Sequence, residues 1–435
     1  AVVPPVLLAV AAVLCYLFIV RGMYALEDLP VKKIPRWSKI CIEVVMVVFF
    51  LHTVQVQGTE IGMWDYIQSV RESSDFYEKE YVNPAKVKMT FPKEKKNLIY
   101  IFMESMESSY ADKEDGGTMD DNYIPNLTKL ARENVQFTDK KDGKVGGPVC
   151  LEATAYTAGG LVAQTSAINL KVMNSGAVSD SFLPNLTALG DILNKQGYNQ
   201  MFLCGSDGDF AGRDAYFKTH KDYQIEDYKA AIKEGDIPKD YKVYWGHEDK
   251  VLYERAKKNL KKLSKEGKPF NLTMLTVDTH FPNGYICDLC ENKYDTTYGN
   301  AVACADRQVY DFVQWIKKQD FYEDTTIIIA GDHTSMVDTG SKFWKSLSND
   351  YQRTVYNAII NPQCAYKKKV TTKRKFSTMD MFPTTLAALG VEIDGNKLGL
   401  GTNLFSGEET LREELGANYI NKELKRNDKM YNQFY

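Results

Sequence analysis

Residues 325–336 read TTIIIAGDHTSM. A β-branched run of this kind favours a strand buried on both faces. It nevertheless ends on Asp332 and His333, two side chains that are costly to bury unpaired. Histidine occurs five times in 435 residues, so its place beside an aspartate at a strand end needs a reason. Two are open: a polar strand end turning to solvent, or a metal site at the carboxyl edge of a parallel sheet, where open α/β folds collect ligands. A second strand bears on the choice. NLIYIFM (97–103) ends its apolar run on Glu104. In a parallel sheet the carboxyl ends share an edge, so Glu104, Asp332 and His333 can converge from two strands. Oxygen and imidazole ligands together suit Mn²⁺, Zn²⁺ or Mg²⁺.

From about residue 95 onward, short apolar runs alternate with longer amphipathic ones, the pattern of an α/β fold with a mostly parallel central sheet. Further strands are expected at NQMFLC (199–204), FNLTMLTV (270–277) and YNAIIN (356–361). Helices are expected over 183–197, 248–267, 305–319 and 377–390, the last opening on Ser377 and closing on Gly390. The net charge of −3 gives no reason to expect nucleic acid, which recruits a basic face.

The apolar residues are unevenly spread. VPPVLLAVAAVLCYLFIV (3–20) has no charge, and CIEVVMVVFFLHTVQV (41–56) is shorter and interrupted by Glu43 and His52. Both are read as transmembrane helices, the first close to the minimum length for a span. Neither a basic start nor a small-residue cleavage site marks the first as a signal peptide. The loop between them carries Arg21, Lys32, Lys33, Arg36 and Lys39 against Glu27 and Asp28. Basic short loops stay cytoplasmic, so everything after residue 57 is expected to be extracytoplasmic. The chain opens on Ala directly before an apolar run, as expected for the end of a longer membrane domain. The expected organisation is membrane helices over 1–56, a connector over 57–94, a catalytic domain over 95–407 and a charged, peripheral tail over 408–435.

Three of the eight cysteines, Cys287, Cys290 and Cys304, crowd into one polar segment. They could bind zinc, but no fourth ligand is near. Outside the cytoplasm a disulfide is the better use. Cys290 and Cys304 are the expected pair, with Cys287 a competing partner for either. In LEATAYTAGGLVAQTS (151–166), Thr154 and Thr157 precede a small-residue run able to start a helix. A helix N-terminus offers free N–H donors to a phosphoryl group. A threonine is a nucleophile only when a metal or base activates it. Taken alone, a threonine near a Gly pair is more often a cap than a nucleophile.

Together these segments resemble the membrane-anchored phosphoglycerol transferases of the sulfatase and alkaline phosphatase superfamily. The resemblance is to lipoteichoic acid synthases and, closer, to the enzymes that decorate periplasmic glucans. It spans roughly residues 95–407 and rests on NLIYIFMES, AYTAGGLVAQTS, FAGRDAYFKTH, LTVDTHFPNG, the Cys290 to Cys304 spacing, IIIAGDH, TMDMFPTTLAALG and GLGTNLFSG in order. It implies the superfamily's α/β sandwich, with metal ligands at Glu104, Thr157, Asp332 and His333, and Thr157 as the nucleophile. It further implies Mn²⁺ or another divalent cation, and head-group contacts from Arg213 and His280. On the residues alone, a surface ion pair with a neighbouring acid is the preferred reading of Arg213.

The implied reaction moves a glycerophosphoryl group from phosphatidylglycerol to a glucan or polyglycerolphosphate acceptor at the outer face of a bilayer. A phosphoethanolamine transferase or phosphodiesterase of the same superfamily is the alternative within the enzyme class. An inactive extracytoplasmic sensor of lipid or polymer is the alternative outside it, and the retained nucleophile argues against that. Two positions depart from the lipoteichoic acid synthases, which have His at Cys204 and Trp at Ala211. True sulfatases need Cys or Ser followed two and four residues later by Pro and Arg. Here Gly159 and Leu161 follow Thr157, which argues against sulfate-ester cleavage.

Overall fold

The computed structural model describes residues 36–60, 63–64, 71–141, 143–171, 181–221, 223–345, 347–348 and 350–435. The chain divides into two compact units, 1–73 and 74–435. In the first, helix α1 (Arg36–Glu60) contains the second apolar run, with Val44, Val45, Val47, Val48, Phe49 and Leu51 exposed. Among the described residues no helix is long and apolar enough to cross a membrane. The apolar run within α1 is short for that task, because 16 residues at 1.5 Å each reach only about 24 Å of a hydrocarbon core about 30 Å thick. The expected span at 3–20 lies outside the described residues. No described helix therefore carries the expectation of spans ahead of the catalytic domain.

The second unit is built on six strands: β1 (Asn97–Met103), β2 (Asn199–Cys204), β3 (Tyr223–Glu226), β4 (Phe270–Leu275), β5 (Thr325–Gly331) and β6 (Asn357–Ile360). Their order is β3-β2-β4-β1-β5-β6, and all pairs are parallel except β5 with β6. Alternation along β1 shows why the sheet is buried twice over. Leu98, Tyr100 and Phe102 enter one core, while Ile99, Ile101 and Met103 enter the other.

Helices cover both faces. Over the first lie α3 (Thr157–Ser166), α4 (Leu189–Lys195), α5 (Arg213–Thr219) and α8 (Met381–Ala388). Over the second lie α2 (Pro125–Glu133), α6 (Asp249–Leu263) and α7 (Thr297–Ile316). The segment after 408 is charged, yet Leu411, Ile420, Leu424, Tyr431 and Phe434 join the first core. They come from three short elements, with Ile420 and Leu424 four apart on one helix and Tyr431 and Phe434 three apart on another.

Cys290 and Cys304 are joined by a disulfide, Cα atoms 5.1 Å apart, which ties the polar excursion to α7. Cys287 Sγ stands 3.6 Å from Cys290 Sγ, so a single Cys304 variant could re-pair. Replacing Cys290 and Cys304 together by Ser is expected to lower the unfolding free energy by about 3 kcal/mol, the value for a closed loop of about 15 residues. Urea unfolding of oxidised protein measures it, and an unchanged midpoint would contradict it.

Candidate active site

Strand pairing brings the ligand-type residues together. Met103 at the end of β1 is in register with Gly331 at the end of β5, so Glu104 and Asp332 follow side by side. The turn after β1 is fixed by Ser105, whose N–H donates to Asp332 Oδ1 at 2.8 Å. The His333 N–H donates to the same oxygen at 2.7 Å. Glu104 is held by Thr276 Oγ1, which accepts its N–H at 2.9 Å, and by Ser105 Oγ, which donates to Glu104 Oε1 at 2.7 Å.

His333 Nδ1 lies 2.8 Å from Thr334 O. A proton on Nδ1 satisfies that carbonyl and leaves Nε2 facing the site, the arrangement that fixes a ligating imidazole. His333 Nε2 is then 3.4 Å from Glu104 Oε1 and 3.5 Å from Asp332 Oδ2.

Thr157 occupies the first turn of α3 and is half-buried. Its Oγ1 lies 3.3 Å from Glu104 Oε2 and 3.4 Å from His333 Nε2. Thr154 is elsewhere. Its hydroxyl is fully buried, donates to Leu151 O and accepts from Leu151 N, both at 2.9 Å. It closes a turn, which leaves Thr157 as the threonine that faces Glu104 and His333.

The helix reaches the sheet edge because Gly160 has no side chain. A Cβ there would stand 2.2 Å from Asp332 O, a backbone atom that cannot yield cheaply. Gly160→Ala is therefore expected to push Thr157 away from the carboxylates. It should cut kcat at least about tenfold and cost about 1–3 kcal/mol of stability. Kinetics alongside urea unfolding would check this, and wild-type values for both would contradict it.

The donor set fits a divalent cation. Glu104, Asp332 and His333 each offer a ligand atom within 4.8 Å of the others. Asp332 Oδ2 is buried without a hydrogen-bond partner, an orphan acceptor that a cation would satisfy. Electrostatics agree. Burial tends to raise Glu104, but the adjacent His333 outweighs it and holds the carboxyl down at about 2. Burial and the Glu104 charge push Asp332 up to about 8. Burial would lower His333, yet the two carboxylates outweigh it and push the imidazole up to about 10. Protons thus stand in for positive charge that the cluster requires.

Arg213 and His280 join Thr157 and Glu104 around a cavity of about 350 Å³. The Arg213 guanidinium donates to Ser206 Oγ at 3.0 Å, Asp207 O at 2.7 Å and Phe210 O at 3.0 Å. No carboxylate pairs with it among the described residues, so the surface ion-pair explanation lacks its partner. His280 packs against Trp245 with ring centroids 4.8 Å apart.

Lys242, Tyr244 and Trp245 also line the cavity, and sequence reasoning missed them. Their signal was faint: one aromatic pair in a polar loop before Gly246. Cys204 and Ala211, the two departures from the lipoteichoic acid synthase pattern, are not among the lining residues. Phe210, Tyr244 and Trp245 supply the aromatic side instead.

Residues 96–391 match the family described as Sulfatase. The chain belongs to the sulfatase family. Phosphoglycerol transferase I of Salmonella choleraesuis is 33% identical over 340 residues, covering 75% of this chain and 41% of the relative. The Shigella flexneri protein of that name gives the same figures. The chain thus spans about two fifths of the length of these curated relatives.

Three solved structures share the fold. The lipoteichoic acid synthase LtaP from Listeria monocytogenes superposes with a TM-score of 0.57 at 18% identity, covering 74% of this chain and 79% of that one. A protein of the alkaline phosphatase superfamily from Vibrio parahaemolyticus gives 0.55 at 21% identity, covering 78% of each. The C-terminal periplasmic domain of EcEptC from Escherichia coli, in complex with Zn, gives 0.51 at 14% identity, covering 73% of this chain and 88% of that one.

Proposed function

We propose that the chain carries the catalytic domain of a metal-dependent phosphoglycerol transferase working at the outer face of a cell membrane. One observation carries this reading: Thr157 Oγ1 lies between Glu104 and His333, in the same cavity as Arg213 and His280. The curated relatives named phosphoglycerol transferase I support it.

In the proposed reaction, Thr157 Oγ1 attacks the phosphorus of phosphatidylglycerol. The bond from phosphorus to the diacylglycerol oxygen breaks, and diacylglycerol leaves carrying a proton equivalent to the one Thr157 loses. A glycerophosphoryl-threonine remains. A hydroxyl of the acceptor, a glucan or a growing polyglycerolphosphate, then displaces Thr157 Oγ1, which regains a proton. Arg213 binds and orients the phosphoryl oxygens, for which a guanidinium has matching geometry. His280 contacts the glycerol end. Glu104, Asp332, His333 and Thr157 would hold a divalent cation, Mn²⁺ by resemblance. When bound, it supplies positive charge that stabilises the phosphoryl oxygens and lowers the threonine pKa. The Zn complex of the EcEptC domain is in keeping with a cation on this fold.

An anchor in the bilayer suits a lipid donor, and the Cys290–Cys304 disulfide suits an oxidising compartment. The test is incubation with labelled phosphatidylglycerol, with and without candidate acceptors, followed by mass spectrometry of lipid, acceptor and protein. Diacylglycerol release with a glycerophosphoryl mass on the protein supports the reading. Turnover of phosphatidylethanolamine alone would replace it with a phosphoethanolamine transferase.

A further inference from the structure

Behind the cavity wall, two buried carboxylates lie close together, and no basic side chain pairs with either among the described residues. Asp249 opens α6 and is fully buried, and Asp278, on the Val277–His280 turn after β4, is 2% exposed. Backbone geometry holds them together. Asp249 Oδ1 accepts the Val277 N–H at 2.7 Å, and Oδ2 accepts the Asp278 N–H at 3.2 Å. Asp249 is thereby accounted for. Asp278 is not, since neither of its carboxylate oxygens has a hydrogen-bond partner.

A third oxygen on a different residue type is orphaned at the same place. Tyr253 is one helical turn beyond Asp249, at i+4 and so on the same face of α6. Its hydroxyl is buried and unpartnered, and both carboxylates act on it electrostatically.

Among the described residues nothing neutralises this group. No ion pair among the described residues reaches Asp249 or Asp278. The nearest basic residues on α6 are engaged elsewhere, Lys250 with Asp288 and Arg255 with Glu226 and Asp236. Glu248 adds a further acid, its carboxylate accepting from Tyr241 OH at 2.7 and 2.8 Å. Burial pushes Asp249 up to about 7 and, together with the Asp249 charge, pushes Asp278 well above the ordinary carboxylate range. A buried unpaired charge is among the costliest arrangements in a protein, so these oxygens want a counter-charge.

We propose that Asp249, Asp278 and the Tyr253 hydroxyl form a second cation site, separate from Glu104, Asp332 and His333, that takes a hard, oxygen-seeking divalent ion of the Ca²⁺ type. All the donors are oxygens, and a bidentate Asp278 matches the irregular coordination that Ca²⁺ accepts and Mg²⁺ resists. The site would brace the turn that delivers His280 to the cavity, because Asp278 is two residues from His280 and the His280 N–H donates to Val277 O at 3.0 Å. It stands independently of the proposed reaction.

The test uses Tb³⁺ on the full chain, with luminescence excited through tyrosine. Native protein is expected to bind one more Tb³⁺ than Asp278→Asn, which keeps the shape and removes the charge. Tyr253→Phe should weaken the same signal. Ca²⁺ should displace the extra Tb³⁺ and raise the melting temperature of the native protein but not of Asp278→Asn. Circular dichroism confirms that each variant folds, and Mn²⁺ stoichiometry reports the Glu104 cluster separately. Equal Tb³⁺ stoichiometry in native protein and Asp278→Asn would overturn the proposal. The carboxylates would then be neutralised by a proton.

Discussion

Thr157→Ala is expected to fold normally and to lose turnover by about 10⁴-fold or more, the scale seen when a nucleophile is removed. The argument is local. Thr157 Oγ1 makes no bond that holds the fold, and its neighbours Glu104 and His333 are fixed by their own partners. Thr154→Ala should behave in the opposite way. Its hydroxyl closes the turn at Leu151 with two hydrogen bonds, so its loss should cost about 1–3 kcal/mol of stability. Turnover per folded molecule should stay near the native value. Intact-mass analysis after brief exposure to phosphatidylglycerol should show a glycerophosphoryl adduct on native protein and none on Thr157→Ala. An adduct on Thr154, or undiminished turnover by Thr157→Ala, would sink the assignment.

The parts of this fold that are legible in the sequence are those where one residue type does one job. NLIYIFM and TTIIIAG are unbroken apolar runs with a ligand-type residue at the end, and both are central strands with those bounds. Their parallel register then places Glu104 beside Asp332. The edge strand β3 was missed, because YQIE is four residues long, half polar, and carries a single β-branched residue. α7 begins eight residues before the expected start: Thr296 caps it by accepting the Gly299 N–H, inside a stretch that reads as polar loop. The aromatic wall at Tyr244 and Trp245 depends on distant backbone. Tyr244 sits at φ 52°, and a Cβ on Gly246 would be 2.0 Å from Gly205 O. No local pattern encodes an approach between segments forty residues apart. Thr154 and Thr157 show the same limit, since only tertiary placement separates a turn-closing threonine from one that faces the carboxylates.

Asp332→Asn should abolish metal binding and turnover together, and its pH dependence distinguishes a ligand from a structural acid. In the metal-free site Asp332 is pushed up to about 8 and His333 to about 10, so at neutral pH both retain protons. A cation must displace them, because it binds carboxylate and neutral imidazole. The sign follows: affinity tightens as pH rises and weakens as pH falls, with about two protons released per cation at neutral pH. In Asp332→Asn one of those protons is gone, and any residual binding should release about one. The stability change has the other sign. A carboxyl with a raised pKa is least favourable when ionised, so without metal Asp332→Asn should be at least as stable as native protein at pH 8. Calorimetry in buffers of different ionisation enthalpy counts the protons, and elemental analysis counts the metal. Full metal occupancy in Asp332→Asn would remove Asp332 from the ligand set.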